Sequence, residues 1–87
     1  LDVFPNPFSD NFTLKYTLMS DAHISVKLFD VLGQEISRLV SPDRVEKPGN
    51  YELKVDAKEY ALPAGIYFLN FSAEGQSKMT KLIKTEN

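Results

Sequence analysis

The stretch that decides the fold is Leu62-Pro63-Ala64-Gly65-Ile66-Tyr67-Phe68-Leu69-Asn70-Phe71. Pro63 fixes its own φ angle and Gly65 tolerates backbone angles that other residues avoid, so the Pro-Ala-Gly run predicts a tight turn. The residues that follow are β-branched, aromatic or apolar except Asn70, which is typical of a strand that needs little water on either face. We therefore place this strand in the middle of a sheet, with Tyr67 and every second residue after it facing the core.

The clearest strand elsewhere lies at residues 12–18, where apolar and polar side chains alternate strictly. Its inward-facing residues are Phe12, Leu14, Tyr16 and Leu18. Further strands are predicted at residues 24–28, 35–40, 51–55 and 77–84. In the proline-containing segment at residues 4–8, we expect Phe4 and Phe8 to anchor an extended backbone on the core.

The connections between these strands are rich in turn residues. At residues 30–34 we predict a hairpin, in which Asp30 accepts a backbone N–H in an Asx turn and Gly33 takes a left-handed position that makes a bulge. Residues 19–23 and 41–47 are predicted to be loops, and the second is the segment that we expect to be most mobile.

Short strands separated by turn signals roughly every 8 to 12 residues, with no sustained helical period, predict an all-β fold. We predict an immunoglobulin-like antiparallel β-sandwich of about seven strands. The 87 residues are enough for a single domain that covers residues 1–87. Because Tyr67 follows a turn into an inner strand, we also predict a tyrosine corner, in which its hydroxyl donates to a backbone carbonyl near Ala61 or Leu62.

Composition excludes several classes of function. The formal net charge of −2 gives no basic field for nucleic acid or a membrane surface, and no apolar run approaches the roughly 20 residues that span a bilayer. There is no Cys, which removes disulfides, thiolate metal sites and a Cys nucleophile. His23 is the only His and has no nucleophile motif beside it, so we interpret it as an exposed loop residue and expect neither enzymatic activity nor a cofactor.

Three weaker patterns have simpler interpretations. One is a group of oxygen-bearing residues near the N-terminus, Asp2, Asn6, Ser9, Asp10 and Asn11. Calcium takes such ligands, but the spacing matches no EF-hand and such clusters usually form turns. N-glycosylation triplets begin at Asn11 and Asn70, the second of them in mid-strand. Phe29, Tyr60 and Phe68 are candidates for stacking on a sugar ring, although aromatic residues in a small sandwich usually belong to the core.

The last predicted strand carries three lysines, Lys78, Lys81 and Lys84. Lysines are common on edge strands, where they discourage pairing with strands of other molecules. The alternative interpretation is a recognition signal, because another protein can bind an exposed, positively charged edge by strand addition. A free edge also permits a dimer of two copies of the chain. Residues 85–87 are expected to fray.

Three motifs occur in order along the chain: Phe4-Pro5-Asn6-Pro7-Phe8, Leu62-Pro63-Ala64-Gly65-Ile66-Tyr67 and Lys81-Leu82-Ile83-Lys84. Between the first two lies Phe29-Asp30-Val31-Leu32-Gly33-Gln34-Glu35. With these motifs the sequence resembles the C-terminal sorting domains of type IX secretion substrates, found in Bacteroidetes-type bacteria. The order and spacing of the motifs make the resemblance specific, and together the motifs span nearly the whole chain.

The resemblance implies that this chain is a C-terminal signal domain of a larger secreted protein, and that it directs an upstream cargo domain of the same chain across the outer membrane. The implied partners are the type IX outer-membrane translocon and a cell-surface sortase that removes the domain. The cargo is expected to pass through the periplasm and to end secreted or at the cell surface, with no insertion of this domain into the membrane. A chain that starts at Leu1, without Met, agrees with a fragment of a longer protein.

The predicted recognition signal comprises Gly65, Tyr67, Lys78, Lys81, Leu82, Ile83 and Lys84. The resemblance implies all of these except Lys78, which follows from the lysine pattern of the last strand.

Two other classes of function stay open. The Asp-x-x-Gly hairpin at residues 30–33 and the Pro-Ala-Gly-x-Tyr turn at residues 63–67 are also similar to the immunoglobulin-like domain of flagellar hook-capping proteins, which is a structural or adhesion module. The aromatic residues named above make a carbohydrate-binding module the other alternative.

Overall fold

In a computed structural model that describes residues 1–40, 45–73 and 75–86, the chain is built from β-strands. The strands are β1 (Asp2–Phe4), β2 (Asn11–Leu18), β3 (Ala22–His23), β4 (Ser25–Asp30), β5 (Glu35–Val40), β6 (Val45–Glu46), β7 (Gly49–Asp56), β8 (Gly65–Ala73) and β9 (Gln76–Lys84). The described residues contain no helix, and the pairs between these strands are antiparallel. The predicted all-β fold is therefore confirmed. The described strands outnumber the seven expected because the short strands β1, β3 and β6 are added to the longer ones.

The strands form two larger sheets and a small one. A three-stranded sheet has the order β1-β2-β7 and a four-stranded sheet has the order β5-β4-β8-β9, while β3 and β6 pair with each other. β8, which contains most of the stretch at residues 62–71, lies between β4 and β9. Its predicted place in the middle of a sheet is confirmed, and so is the place of the last strand, β9, at an edge.

One cluster of buried side chains draws on both larger sheets. The three-stranded sheet contributes, among others, Phe12, Leu14 and Val55, and the four-stranded sheet contributes Val26, Leu28, Leu69 and Leu82. The inward residues predicted for 12–18 are all buried, because strict alternation sends every second side chain of a strand to the same face. The core is therefore built by the alternation that the sequence displays.

The hairpin between β4 and β5 has the chemistry predicted for residues 30–34. Oδ1 of Asp30 accepts the backbone N–H groups of Leu32 and Gln34, each at 2.9 Å. Gly33 has a φ of 85°, in the left-handed region that glycine tolerates best. The register of β4 against β5 shifts just before the turn, as expected of a bulge.

The loops predicted at residues 19–23 and 41–47 are wrong in part, because each contains a two-residue strand. β3 and β6 pair with each other, and the buried Glu46 of β6 accepts a hydrogen bond from the hydroxyl of Tyr16 at 2.6 Å. Two residues have no detectable period, so only tertiary pairing reveals such a strand. Residues 41–44, which fall in the segment expected to be mobile, lie outside the described residues.

The two ends of the chain also depart from expectation. Phe8 is buried with 2% of its surface exposed, whereas Phe4 is 44% exposed. Phe4 points outward because Val3 takes the inward position of β1. The predicted fraying of residues 85–87 is wrong for Thr85, which bonds to the carbonyl of Phe8 through its backbone N–H at 2.8 Å and its hydroxyl at 3.2 Å, and Asn87 lies outside the described residues.

Candidate recognition site

Motifs from the start, the middle and the end of the chain meet at one end of β9. β8 pairs with β9 so that Gly65 lies opposite Lys84 and Tyr67 lies opposite Leu82. On the other side of β9, Phe8 forms a parallel bridge with Lys84. We call this convergence the terminal-strand site, comprising Asn6, Phe8, Gly65, Tyr67 and residues 81–85.

The N-terminal segment binds the outer edge of β9 like an additional short strand. The Asn6 side chain donates from Nδ2 to the carbonyl of Lys81 at 2.8 Å, and its Oδ1 accepts the N–H of Ile83 at 3.1 Å. The backbone N–H of Phe8 donates to the carbonyl of Ile83 at 2.9 Å, and the carbonyl of Phe8 accepts from Thr85. We call residues 6–8 the N-terminal clip, since they satisfy backbone groups that an edge strand otherwise presents to solvent.

Tyr67 forms a tyrosine corner at the start of β8. Its hydroxyl donates to the carbonyl oxygen of Pro63 at 2.5 Å, so the predicted corner is confirmed, with its acceptor one residue after Leu62. The hydroxyl reaches four residues back along the chain, to the carbonyl of the first residue of the Pro-Ala-Gly turn. Gly65 has a φ of 153°, and a Cβ there meets nothing within 4 Å, so the backbone angle and not lack of space favours glycine.

The phenol of Tyr67 stays protonated over a wide pH range. Burial raises its pKa above the usual 10.0, and the carboxylate of Asp30 raises the pKa further. Asp30 lies directly opposite Tyr67 in the pairing of β4 with β8. The hydroxyl is therefore a permanent hydrogen-bond donor to the turn at neutral pH.

A second tyrosine corner opens β7 with the same geometry. The hydroxyl of Tyr51 donates to the carbonyl of Lys47, again four residues back and at 2.5 Å, and Gly49 again has a φ of 153°. The Gly-x-Tyr spacing occurs at both places in the sequence. The corner is thus a general means by which this chain enters a strand after a proline-containing turn, and at Tyr67 it fixes the start of the strand that holds β9.

The lysines of β9 do not form a single row. Leu82 is fully buried, so strand alternation places Lys81 and Ile83 on the opposite, outer face of the sheet, where both are exposed. Lys78 and Lys84 belong to the side of Leu82, near the two ends of the strand. Lys78 is exposed, and Lys84 is half-buried with its Nζ 3.0 Å from the carbonyl of Thr85. The structure therefore brings six of the seven predicted site residues together at one end of β9, facing different ways, whereas Lys78 lies toward the other end of the strand, opposite Phe71.

Sequence reasoning missed the role of Asn6. The sequence suggests for Asn6 a calcium ligand or a turn residue, whereas its amide oxygen and nitrogen both bond to β9. The side-chain amide of Asn carries both a donor and an acceptor, so it can bond to a strand edge as a backbone peptide group does. An Asn in an extended segment is therefore the one local feature that could indicate pairing with an edge strand. The partner strand, more than 70 residues away in the sequence, was beyond local reasoning.

The other candidate sites find less support in the geometry. Within the described residues there is no group of three or more His, Cys, Asp or Glu side chains that can hold a metal ion. No helix in this part of the chain is long and apolar enough to cross a membrane. Phe29 and Phe68 lie opposite each other on the outer face of the four-stranded sheet, while Tyr60 packs against the core. His23 is exposed, as predicted, but it lies in β3 and not in a loop.

The fold and the terminal-strand site together define a small all-β module that presents an edge strand held by both ends of its own chain. The family model of the secretion system C-terminal sorting domain matches residues 2–85, and the chain belongs to this family. It is therefore a C-terminal sorting signal for type IX secretion, attached to an upstream cargo domain and carried by a secreted or cell-surface protein. A search of curated proteins found no match to the chain.

Replacing Tyr67 with Phe tests the corner. We expect Tyr67→Phe to lower the free energy of unfolding by about 1 to 2 kcal/mol, because a half-buried carbonyl loses its donor. In the wild type, the unfolded state releases the phenol proton first as the pH rises through 10.0, since the folded state has the higher pKa. The unfolded state then binds fewer protons, so stability falls as the pH rises above this value, and Tyr67→Phe should remove that part of the fall.

Urea unfolding of the wild type and Tyr67→Phe at pH 7 and at alkaline pH measures both effects. Tyr51→Phe is the matched control, because it removes the same hydroxyl from a more exposed corner. Equal stability of Tyr67→Phe and the wild type at pH 7 would contradict a stabilising role for the corner.

Proposed function

We propose that the type IX outer-membrane translocon recognises the surface of the β8–β9 hairpin, after the folded domain has passed through the periplasm with its cargo. The observation that supports this proposal is the convergence of the three separated motifs on one end of β9. Motifs that are distant in the sequence meet there. This is expected if the three motifs act together to hold β9 in one fixed position.

The seven site residues have two different roles in this proposal. Gly65, Tyr67 and Leu82 support the hairpin. Tyr67 and Leu82 are buried, and Gly65 adopts the backbone angle of the turn that leads into β8. Lys81 and Ile83 contact the translocon, because their side chains are exposed on the outer face. Lys78 and Lys84 add positive charge at the two ends of the same strand.

The remaining expectations complete the proposal. The two larger sheets pack as an immunoglobulin-like sandwich, which agrees with one core cluster that draws on both. The domain catalyses no reaction of its own, and a cell-surface sortase removes it from the cargo. The edge of β9 that the clip leaves open, at residues 76–80, is where a second copy would pair if the domain dimerised by strand addition.

A reporter fusion tests the proposal. The fusion consists of a signal peptide, a fluorescent protein, a linker and residues 1–87, expressed in a bacterium with a type IX system and in a strain without the translocon. We expect the reporter outside the first strain and inside the periplasm of the second. Periplasmic retention of a folded fusion in both strains would refute the proposal.

Charge reversal at Lys81 tests the recognition surface itself. We expect Lys81→Glu to reduce export by about tenfold, equivalent to roughly 1.4 kcal/mol of recognition free energy, while the domain stays folded. Lys54→Glu is the matched control, because Lys54 is an exposed lysine on β7 in the other sheet. Equal export of the two variants would show that Lys81 is not part of the signal.

A further inference from the structure

One group of exposed apolar side chains lies on the outer side of the four-stranded sheet, while others, at Leu1, Phe4, Met19 and Val45, lie on or beside other strands. Ile66, Met79 and Ile83 are 39%, 54% and 37% exposed on β8 and β9, and Val31 and Leu32 of the adjoining hairpin are 63% and 82% exposed. Small soluble domains seldom leave so many large apolar groups together in water unless the surface has a use. The core does not need these side chains, since it lies on the other face of the sheet.

Strand pairing shows that these residues share one continuous surface. Ile66 pairs with Ile83, and Phe68 lies between Phe29 of β4 and Lys81 of β9. A shallow apolar groove at the centre of this surface is lined by Phe29, Val31, Phe68 and Met79, together with Asp30 and Gly33. We call the surface formed by Ile66, Phe68, Met79, Ile83, Phe29 and Val31 the outer face.

The charges around the outer face are mainly positive. Lys27 and Arg38 lie opposite each other on β4 and β5, and Lys81 lies beside Phe68 on β9. The acidic residues at this end of the sheet are Asp30, which lines the groove and accepts two backbone N–H groups in its turn, and Glu35, so the three basic side chains outnumber the acidic ones by one. Lys15 and Glu52, whose side chains form an ion pair at 4.0 Å, lie on the other sheet.

We propose that the outer face is a docking surface for a protein partner that presents an apolar segment flanked by carboxylates, and that this partner is a component of the outer-membrane translocation complex. The groove takes an apolar side chain, and Lys27, Arg38 and Lys81 pair with the carboxylates around it. A second copy fits less well, because face-to-face pairing of two outer faces brings positive residues of both copies together. The inference rests on the proposed function and specifies the surface and the chemistry of recognition.

Site-specific photo-crosslinking in secreting cells tests the inference. Met79 is replaced with p-benzoylphenylalanine in the reporter fusion, because its side chain is exposed at the groove and is not one of the proposed signal residues. Lys54 is replaced with the same residue as the control position on the other sheet. We expect a covalent adduct between the fusion and a subunit of the translocation complex from position 79, and none from position 54.

Charge reversal within the same experiment tests the partner's chemistry. Arg38→Glu should reduce the yield of the adduct from position 79 by about tenfold, and Lys54→Glu should leave it unchanged. An adduct at twice the mass of the fusion would identify a second copy as the occupant and overturn the inference. Normal secretion without any adduct from position 79 would also overturn it while the proposed function stands, whereas a fusion retained in the periplasm would refute both.

Discussion

Deleting residues 79–87 will leave the fused cargo in the periplasm and will also unfold the domain. The deletion removes Leu82, which is fully buried, and most of the strand that pairs with β8 along its whole length. Loss of a buried leucine side chain alone costs about 3 kcal/mol, and a domain of this size has roughly 5 to 15 kcal/mol in total. Circular dichroism of the isolated truncated domain and the location of the reporter measure the two effects, and normal secretion of the truncated fusion would contradict the prediction.

Two neighbouring substitutions separate folding from recognition in that result. Leu82→Ala removes a buried side chain and should lower stability by about 3 kcal/mol. Ile83→Ala removes a side chain that is 37% exposed, so it should change stability much less but weaken export of a folded domain. If Ile83→Ala were exported normally and only Leu82→Ala were retained, the terminal strand would contribute to export through folding alone.

Local pattern predicted most of the strands correctly. The strict alternation at residues 12–18 matches β2, and the predicted return strand at residues 35–40 matches β5. The hairpin between β4 and β5 could also be predicted, because Asp30 and Gly33 each have a preferred position in such a turn. These features depend on interactions between residues close in the sequence, and such interactions leave a pattern that can be detected.

The features that could not be predicted depend on distant pairing. Nothing near Asn6 in the sequence indicates that its amide group will bond to β9, and nothing near Thr85 indicates that it will be held by Phe8. The sequence predicts a single positive signal from the lysines of β9, because spacing alone does not show which face Leu82 buries. The site could be placed on the correct strand from the sequence, but the direction of its side chains needed the fold.

The clip gives the N-terminal motif a physical reason to accompany the C-terminal one. In a sorting domain the cargo precedes Leu1, so the segment that leads from the cargo also closes the edge of the terminal strand. An open edge strand is prone to pair with other chains, and the clip covers residues 81–85 of that edge. The contacts between the clip and β9 therefore both fix the position of the terminal strand and protect its edge from pairing with other chains.

Replacing Phe8 with Ala will destabilise the domain by about 3 to 4 kcal/mol and will loosen the end of β9. Phe8 is 2% exposed, and its ring packs edge-on against Phe12 with centroids 4.9 Å apart, so truncation leaves a cavity in the core. Phe4→Ala is the matched control from the same motif, and it should cost less than about 1 kcal/mol because Phe4 is 44% exposed.

Hydrogen exchange then shows whether the clip holds the signal strand. The N–H of Ile83 donates to Asn6 and the N–H of Thr85 donates to Phe8, so both amides should exchange faster in Phe8→Ala than in Phe4→Ala. The N–H of Leu82, in the strand that pairs with β8, provides the internal reference within β9. If Phe8→Ala lowered stability but the exchange of Ile83 and Thr85 relative to Leu82 did not change, the burial of Phe8 would support the core without positioning the terminal strand. Faster exchange at those two amides would instead show that the entry of the chain into the domain controls the order of the strand that the translocon is proposed to recognise.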